Sequence, residues 1–417
     1  MKISLVNFII FSSIIGTYFL AIPVLVVLGI GISLIGFFVN LIHSKKFRIN
    51  KIGILILINF LYWIISGFLV GAIDFTSFAD PLFYDGDARV FLSYSSLLFF
   101  CVSSSNLNSL HYSLNIIRGL SSFSFLLFLF WIPTKAQFIS EGLANNFAAF
   151  LTSHTGAGTF FGFLSIILFF YGYFNKSKFD LILSFMMLLA VFGTGSRATV
   201  VGLVIVGFWF VFSNFKLKKF IFISLISIAL LAILPIIATH TFERISLLFD
   251  SNVFTLIFEQ IKIGESDGWE PGYSERELAS GEANILSRIV FWSYAIHRFL
   301  QSPVFGIGWG RYNDLSVNFS GIPGLIYIAT SGDRRFGAAS AHNSYLMLLC
   351  ESGIIGLVLL LWLWWSIYLN LNKAKIYFSK SPSIQSYFIA AQGTVWFTLT
   401  AAMFGHSLAA HPSVSLY

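Results

Sequence analysis

Two short motifs place an ionisable side chain at the predicted start of a helix. In the first, Thr194-Gly195-Ser196-Arg197, either Thr194 or Ser196 can cap the helix that follows. The N-terminus of a helix carries partial positive charge and free N–H groups, so together with Arg197 it forms a cradle for a phosphate group. An arginine that merely snorkels from a helix end explains the same residues equally well.

The second motif, Ala341-His342-Asn343-Ser344-Tyr345, opens another predicted helix in the same way. The positive end of the helix dipole lowers the pKa of an imidazole, which favours the neutral, basic form of His342. A bound diphosphate would raise that pKa again. If this motif stood alone, a capping or interfacial histidine would be the better interpretation.

The other ionisable residues form no pattern for a metal or a nucleotide. Glu351 follows His342 by nine residues, which puts it on the opposite helix face and roughly 13 Å deeper, so we do not pair the two. Gly353 and Gly356 indicate close helix packing here, and we assign Glu351 a structural role. His154, His406 and His411 lack the spacing of metal ligands, and there is no D-x-D pair, P-loop or dinucleotide fingerprint. We therefore expect neither a metal nor a cofactor, and the substrate itself must supply the energy of any reaction.

The composition indicates a membrane protein. Of the 417 residues, 57% are hydrophobic and only 10% are charged, whereas a soluble domain has about 25% charged residues. This excludes a soluble enzyme, a nucleic-acid-binding protein, a disordered chain and a secreted disulfide scaffold. The two cysteines, Cys101 and Cys350, lie in apolar runs and indicate neither a disulfide nor a metal site.

We predict an all-α polytopic membrane protein with about 11–12 transmembrane helices, because each span needs about 20 apolar residues. The ending HPSVSLY resembles the start of a twelfth helix that is missing. The predicted spans are 4–21, 23–42, 53–73, 90–105, 117–132, 156–174, 180–195, 198–214, 220–238, 344–369 and 384–404.

The basic residues divide unequally between the two sides of the membrane. The side with the N-terminus holds 14 of them, 12 being lysine, and the opposite side holds 11, nine being arginine. The positive-inside rule makes the first side cytoplasmic and puts residues 239–343 outside. Arginine on the outer side indicates an anionic ligand, because its planar fork binds phosphate bidentately. Pairing of these arginines with the outer carboxylates is the alternative.

The long outer segment contains one predicted helix. Residues 283–302 repeat apolar residues at intervals of three and four, which predicts an amphipathic helix at the membrane surface that Pro303 ends. A glycine-rich turn, residues 306–312, follows, and glycine lets a backbone approach a ligand closely. The predicted regions are transmembrane helices 1–9 in 1–238, the outer loop in 239–343, and the C-terminal transmembrane helices in 344–417.

Several of these residues match one family. The chain resembles the O-antigen ligase and polymerase family of bacterial envelope glycosyltransferases. The resemblance covers roughly residues 155–365, and its most specific part is the HNSYLMLLCESGIIG run at 342–356. The supporting pieces are Arg288, Trp292 with Ala295, Pro303, the G-x-G turn and the TGSR motif at 194–197.

The resemblance implies a reaction and a place. Such proteins take a glycan from an undecaprenyl diphosphate carrier at the periplasmic face of the bacterial inner membrane and pass it to a sugar hydroxyl, without a metal or a nucleotide sugar. The acceptor is the lipid A core for ligases and another carrier-linked unit for polymerases. The implied fold is the lipid-carrier-dependent (GT-C-like) glycosyltransferase type with one large periplasmic loop and a cytoplasmic N-terminus.

The resemblance and the two motifs together suggest roles for individual residues. Arg197 and Arg288 are expected to bind the diphosphate leaving group, with Arg311 as a weaker third. His342 is the candidate general base, and hydrogen bonding to the diphosphate is its alternative role. Further candidates for substrate binding are Asn343, Tyr345, Arg298 and His154.

The sequence leaves three functions open. Some polymerases have an arginine followed eleven residues later by glycine, but Arg197, Arg288 and Arg298 are followed at that distance by Phe, Phe and Trp. This favours a ligase over a polymerase. A transporter of lipid-linked glycans is the third possibility. Transporters commonly have inverted repeats and broken helices, but no convincing repeat is evident here and the single large outer segment is asymmetric.

Overall fold

The computed structural model describes residues 51–70, 107–134, 146–149, 154–214, 292, 295–296, 298–308, 341 and 343–404. These residues form helices and short connections and contain no strand. The described part of the chain contains seven long helices: α1 Lys51–Leu69, α2 Leu107–Thr134, α3 His154–Asn175, α4 Lys178–Thr194, α5 Arg197–Asn214, α6 Ser344–Tyr377 and α7 Pro382–Ala401.

The seven helices correspond to seven of the predicted spans, and the all-α polytopic membrane fold is confirmed. Four helices are long and apolar enough to cross a membrane: Lys51–Leu69, Leu114–Thr134, Gly156–Asn175 and Ser344–Tyr377. The remaining predicted spans, 4–21, 23–42, 90–105 and 220–238, lie outside the described residues, as does the end of the chain from 405 onwards.

Two helices are longer than the sequence predicted, because hydropathy marks only their apolar parts. α2 begins ten residues before the predicted span 117–132, since its first turns carry polar side chains. α6 continues eight residues past the predicted end at 369, through Lys373 and Lys375. A helix needs apolar residues only where lipid surrounds it, so its polar ends are invisible to a hydropathy argument.

The helices alternate in direction as the charge pattern predicts. Asn59 and Tyr62 of α1 donate hydrogen bonds to the carbonyls of Leu359 and Ser352, so α1 runs antiparallel to α6. The two ends of the bundle therefore differ in their basic residues. We call one the lysine end; it carries Lys51, Arg118, Lys176, Lys178, Lys373, Lys375 and Lys380. The other, which we call the arginine end, has Arg197 at the start of α5.

Small residues let the central helices approach closely. Phe397 of α7 lies between Gly162 of α3 and Gly202 of α5, where an added Cβ would come within 2.6 and 2.8 Å of its ring. Lipid provides no hydrophobic drive for helix association, so close packing over small residues is the main source of stability here. Phe397 thereby fixes α7 between the helices that lead to the arginine end.

Candidate active site at the arginine end

A tight turn joins α4 to α5 and fixes where α5 begins. α4 ends with Gly195 in the left-handed conformation, φ +66°, and the Gly195 N–H donates to the carbonyl of Phe192 at 3.2 Å. The Thr194 hydroxyl donates to Val191 at 2.7 Å and accepts from the N–H of Ser196 at 3.2 Å. Only glycine adopts this φ without strain, so the TGSR motif sets the sharp reversal that places Arg197 on the first turn of α5.

Ser196 stands directly before α5, at the capping position that the sequence predicted. Its hydroxyl lies 2.9 Å from the hydroxyl of Thr199, one turn into the helix, and its carbonyl accepts from Val200. Arg197 is half-buried. The turn therefore holds its own hydroxyls in a fixed arrangement and leaves the arginine at the helix start.

The beginning of α3 packs against this turn. A Cβ added to Gly158 would lie 2.8 Å from the Thr194 hydroxyl and 2.9 Å from the Thr199 hydroxyl. His154 is the first residue of α3, one turn before Gly158. The helix that carries His154 thus begins beside the Arg197 turn, while the side chain of His154 lies outside the described residues.

The start of α6 is held by the two polar residues that flank its first turn. The side-chain oxygen of Asn343 accepts from the N–H groups of Tyr345 and Leu346 at 3.0 and 3.2 Å. The Tyr345 hydroxyl donates to the carbonyl of Leu399 on α7 at 2.7 Å. The sequence predicted substrate binding for Asn343 and Tyr345; the structure gives these oxygen atoms a role in fixing the helix start, and substrate binding stays a prediction.

The residues on both sides of His342 are anchored. The indole N–H of Trp292 donates to the carbonyl of Ala341 at 2.8 Å, and Ala341 is fully buried. On the other side, the N–H of Ser344 donates to the carbonyl of Ala402 at the end of α7, at 2.8 Å. His342 itself lies outside the described residues, together with Arg288 and Arg311.

The starts of α5 and α6 lie at the same end of the bundle, with α7 connecting them. α7 packs on α5 through Phe397 and Gly202, and its end bonds to the first residue of α6. The positive dipole ends of two helices at one end of the bundle, one of them carrying an arginine, favour an anion such as a phosphate. The first N–H groups of α6 already bond within the chain, so α6 contributes its dipole. The TGSR motif, for which the sequence predicted a phosphate cradle, thus lies at the same end of the bundle as the start of α6.

Arg298, another predicted substrate-binding residue, is placed differently. Its side chain is buried, with 8% of its surface exposed, and it donates to the Gln301 side chain at 2.8 Å. Arg298 and the buried Glu351 both lie close enough to the Cys350 thiol for their charges to act on it. This places Arg298 beside the first part of α6, about two turns from its start, and its contact with a substrate stays a prediction.

The sequence reasoning missed a break in α6. Gly353 has non-helical angles, φ +65° and ψ −171°, inside an otherwise continuous helix. The available signal was the pair Gly353 and Gly356, which the sequence analysis assigned to close helix packing. Among the described residues, no group of three or more His, Cys, Asp or Glu side chains is arranged to hold a metal ion.

Comparison with known proteins gives a family match over this region. Residues 182–361 match the family model described as O-antigen ligase. The predicted resemblance to that family is confirmed. The matched stretch contains α5, the turn before it, the first half of α6 and every predicted site residue except His154. No curated protein matches the chain. The O-antigen ligase match supports glycan transfer of the ligase or polymerase type in general, by an enzyme embedded in a membrane.

Proposed function

We propose that this protein is an O-antigen ligase of lipopolysaccharide biosynthesis. It transfers a glycan from undecaprenyl diphosphate to a sugar hydroxyl of the lipid A core, at the periplasmic face of the bacterial inner membrane and without a metal. One observation carries the proposal: the starts of α5 and α6, with Arg197 on the first, lie at one end of the bundle inside the stretch that matches the O-antigen ligase family.

The chemistry requires stabilisation of a leaving diphosphate. The acceptor oxygen attacks the anomeric carbon of the glycan, the bond from that carbon to the diphosphate oxygen breaks, and negative charge develops on the diphosphate. Arg197 and Arg288, with Arg311 as a weaker third, stabilise this charge together with the helix N-termini. His342 takes the proton of the acceptor hydroxyl as the new bond forms.

The distribution of basic residues supports the orientation. The lysine end faces the cytoplasm with the N-terminus, because lysine and arginine are retained there. The arginine end then faces the periplasm, where the diphosphate headgroup of the carrier lies at the bilayer surface. An arginine at this end, in a place that topology disfavours for positive charge, is consistent with an anionic substrate.

One observation bears on the transporter alternative. Transporters bind their substrates where spanning helices are interrupted near the middle of the bilayer, and α6 is interrupted at Gly353. In this chain, however, the backbone groups at the interruption bond to neighbouring parts of the same chain. The interruption is therefore filled by protein, which favours an enzyme over a transport pathway.

Reconstitution with a carrier-linked glycan tests the proposal. The purified protein is incorporated into vesicles and given two acceptors in separate reactions, the lipid A core and a second carrier-linked unit. Glycan on the lipid A core alone supports the ligase, whereas lengthened carrier-linked chains would identify a polymerase. Movement of the carrier across the vesicle membrane with no transfer product would identify a transporter and contradict both.

A matched pair of variants separates chemistry from topology in the same assay. Arg197→Ala removes a guanidinium from the arginine end, and Lys380→Ala removes an exposed cation from the lysine end. The proposal predicts that transfer falls for Arg197→Ala and stays at the wild-type rate for Lys380→Ala. Equal rates for the two variants would remove the support that Arg197 gives to the proposal.

A further inference from the structure

α6 consists of two helical parts joined at Gly353. The first part, residues 344–352, begins at the Asn343 cap, and we call it the leading half-helix. At 1.5 Å per residue it is about 13 Å long. A break of this kind leaves backbone carbonyls and N–H groups without their partners inside the helix, and in a membrane each needs another partner.

The structure supplies those partners from two other parts of the chain. Residues 303–308, which we call the docking loop, form three backbone bonds with α6, and α1 supplies a side-chain donor. The bonds are Ile307 N–H to the Cys350 carbonyl at 3.0 Å, Gly308 N–H to the Glu351 carbonyl at 3.1 Å, Ile354 N–H to the Pro303 carbonyl at 2.9 Å, and the Tyr62 hydroxyl to the Ser352 carbonyl.

Two glycines make this approach possible. Gly306 has φ +77° and Gly353 has φ +65°, a region that other residues rarely adopt. A Cβ on Gly306 would collide with the backbone of Glu351, and a Cβ on Gly353 would collide with the carbonyl of Val304. The sequence analysis associated this glycine-rich turn with a ligand. In the structure its glycine lets the backbone of the docking loop contact the backbone of α6.

The leading half-helix is also held at its other end. Trp292 bonds to Ala341, two residues before the Asn343 cap, and the described residues between 292 and 301 are helical. The chain therefore advances in the direction of the leading half-helix from Trp292, which bonds just before its start, to Pro303, which bonds just past its end. Arg288 lies four residues before Trp292 in the sequence, and His342 lies between Ala341 and Asn343.

We infer that Gly306 and Gly353 are positioning residues for the glycan transfer, because the docking loop fixes the leading half-helix and so sets His342 relative to Arg288. This inference rests on the proposed function. A reacting group must stand within a fraction of an ångström of its place, and a shift of about 1 Å from a distant change can cost about 100-fold in rate. The four bonds hold the break in one position relative to the docking loop and α1. Because the leading half-helix is a short rigid element, this also fixes the position of its first residues.

Kinetics of Gly353→Ala test the role. The matched control is Gly207→Ala on α5, where an added Cβ meets nothing within 4 Å. For Gly353→Ala we expect kcat to fall by about 100-fold with the donor KM little changed, measured per mole of folded protein from size-exclusion chromatography. Gly207→Ala is expected to keep the wild-type kcat. A Gly353→Ala variant with lowered thermal stability and wild-type kcat would overturn the positioning role.

A milder variant covers the case in which Gly353→Ala fails to fold. Tyr62→Phe removes the single hydroxyl that donates to the Ser352 carbonyl and preserves the ring. The expected result is a kcat lowered on the order of five-fold, the equivalent of one hydrogen bond. An unchanged kcat for Tyr62→Phe, in protein that folds as well as wild type, would count against the inference.

A spectroscopic measurement tests the docking without relying on activity. Val304 and Ile354 are both exposed, and they lie close together because Ile354 donates to the carbonyl of Pro303, the residue before Val304. Nitroxide labels on Val304→Cys and Ile354→Cys, with Cys101 and Cys350 replaced by alanine, should show strong dipolar broadening that weakens in Gly353→Ala. Absence of broadening in the protein with Gly353 intact would overturn the docking.

The two kinds of readout separate the two claims. If the wild-type protein transfers no glycan to any acceptor, the proposed function fails and the positioning role fails with it, while the label spectra still decide whether the loop docks. If transfer proceeds and the labels show docking, kcat of Gly353→Ala decides the positioning role alone. A lowered kcat supports it, and a wild-type kcat overturns it.

Discussion

The two ends of the helix bundle use arginine in opposite ways. At the lysine end, Arg118 forms two hydrogen bonds of 2.7 Å to both carboxylate oxygens of the fully buried Asp180, with the ring of Tyr171 5.5 Å away. At the arginine end, Arg197 stands on the first turn of α5 beside the start of α6. A guanidinium matched to a buried carboxylate holds helices together, whereas the proposed function gives the guanidinium at the start of α5 another task, the binding of an anionic substrate.

This contrast separates residues that contribute to the stability of the fold from residues that contribute to the rate of transfer. Changes at the lysine end should lower the free energy of unfolding and leave the rate per folded molecule unchanged. Changes to Arg197 and His342, the residues proposed to take part in the transfer, should lower the rate and leave the fold intact. The four predictions below are ordered from the largest expected effect to the smallest, and each places one residue on one side of this division.

His342→Ala should have the largest effect. A positioned acid or base contributes about 10²–10⁴-fold to a rate, so transfer to the acceptor should fall below detection while the protein still elutes as a folded species. His111→Ala, in the part of α2 near the lysine end, is the matched histidine control and should retain activity. Wild-type transfer by purified His342→Ala would remove His342 from the mechanism.

Asp180→Asn should affect stability alone. Removal of one partner from a buried ion pair costs about 3–5 kcal/mol, and because the Arg118 side chain is 28% exposed we expect the lower end of that range, about 3 kcal/mol. Thermal or denaturant unfolding in detergent measures the loss. If transfer per folded molecule falls as steeply as stability, the proposed separation between the two ends is wrong.

Arg197→Lys should slow transfer moderately. Lysine keeps the charge but cannot form the two parallel hydrogen bonds of a guanidinium. The loss of one charge-assisted bond corresponds to about tenfold in rate, and the same reasoning applies to Arg288→Lys. Steady-state kinetics with a carrier-linked donor measure it. Rates equal to wild type for both variants would contradict bidentate binding of the diphosphate.

Asn343→Ala should have the smallest effect on folding. The side chain caps α6 through two backbone N–H groups, and loss of such a cap costs about 1 kcal/mol. Asn343→Ser, which can also cap, should restore most of the stability. Unfolding curves of the three proteins make the comparison. Equal stability of Asn343→Ala and wild type would mean that the cap contributes little to the start of α6.

Much of the framework could be predicted from the sequence because hydropathy and charge are local signals. The seven described helices fall where apolar runs were found, and their alternation follows from where the lysines lie. The sequence predicted a helix start at the TGSR motif, with Thr194 or Ser196 as its cap, and another at residue 344; the cap that the structure shows for α6 is Asn343, for which the sequence had predicted substrate binding. These features depend on residues that are close together in the chain, so a local sequence pattern is enough to predict them.

The features that were missed join residues far apart in the chain. The ion pair between Arg118 and Asp180 was missed, because nothing near Arg118 in the sequence indicates Asp180 as its partner. The break at Gly353 depends on the docking loop about fifty residues earlier and on Tyr62 of α1. A glycine pair reads equally well as close packing or as a break, and only the tertiary contacts decide between them.

The central claim is that a diphosphate binds at the arginine end, between the starts of α5 and α6. The most direct test is a cryo-electron microscopy structure of the protein in lipid nanodiscs with the undecaprenyl diphosphate-linked glycan bound. The account predicts diphosphate density in contact with the guanidinium of Arg197 and beside residues 341–344. Diphosphate density at the lysine end, or far from Arg197 on the opposite side of the bundle, would contradict it.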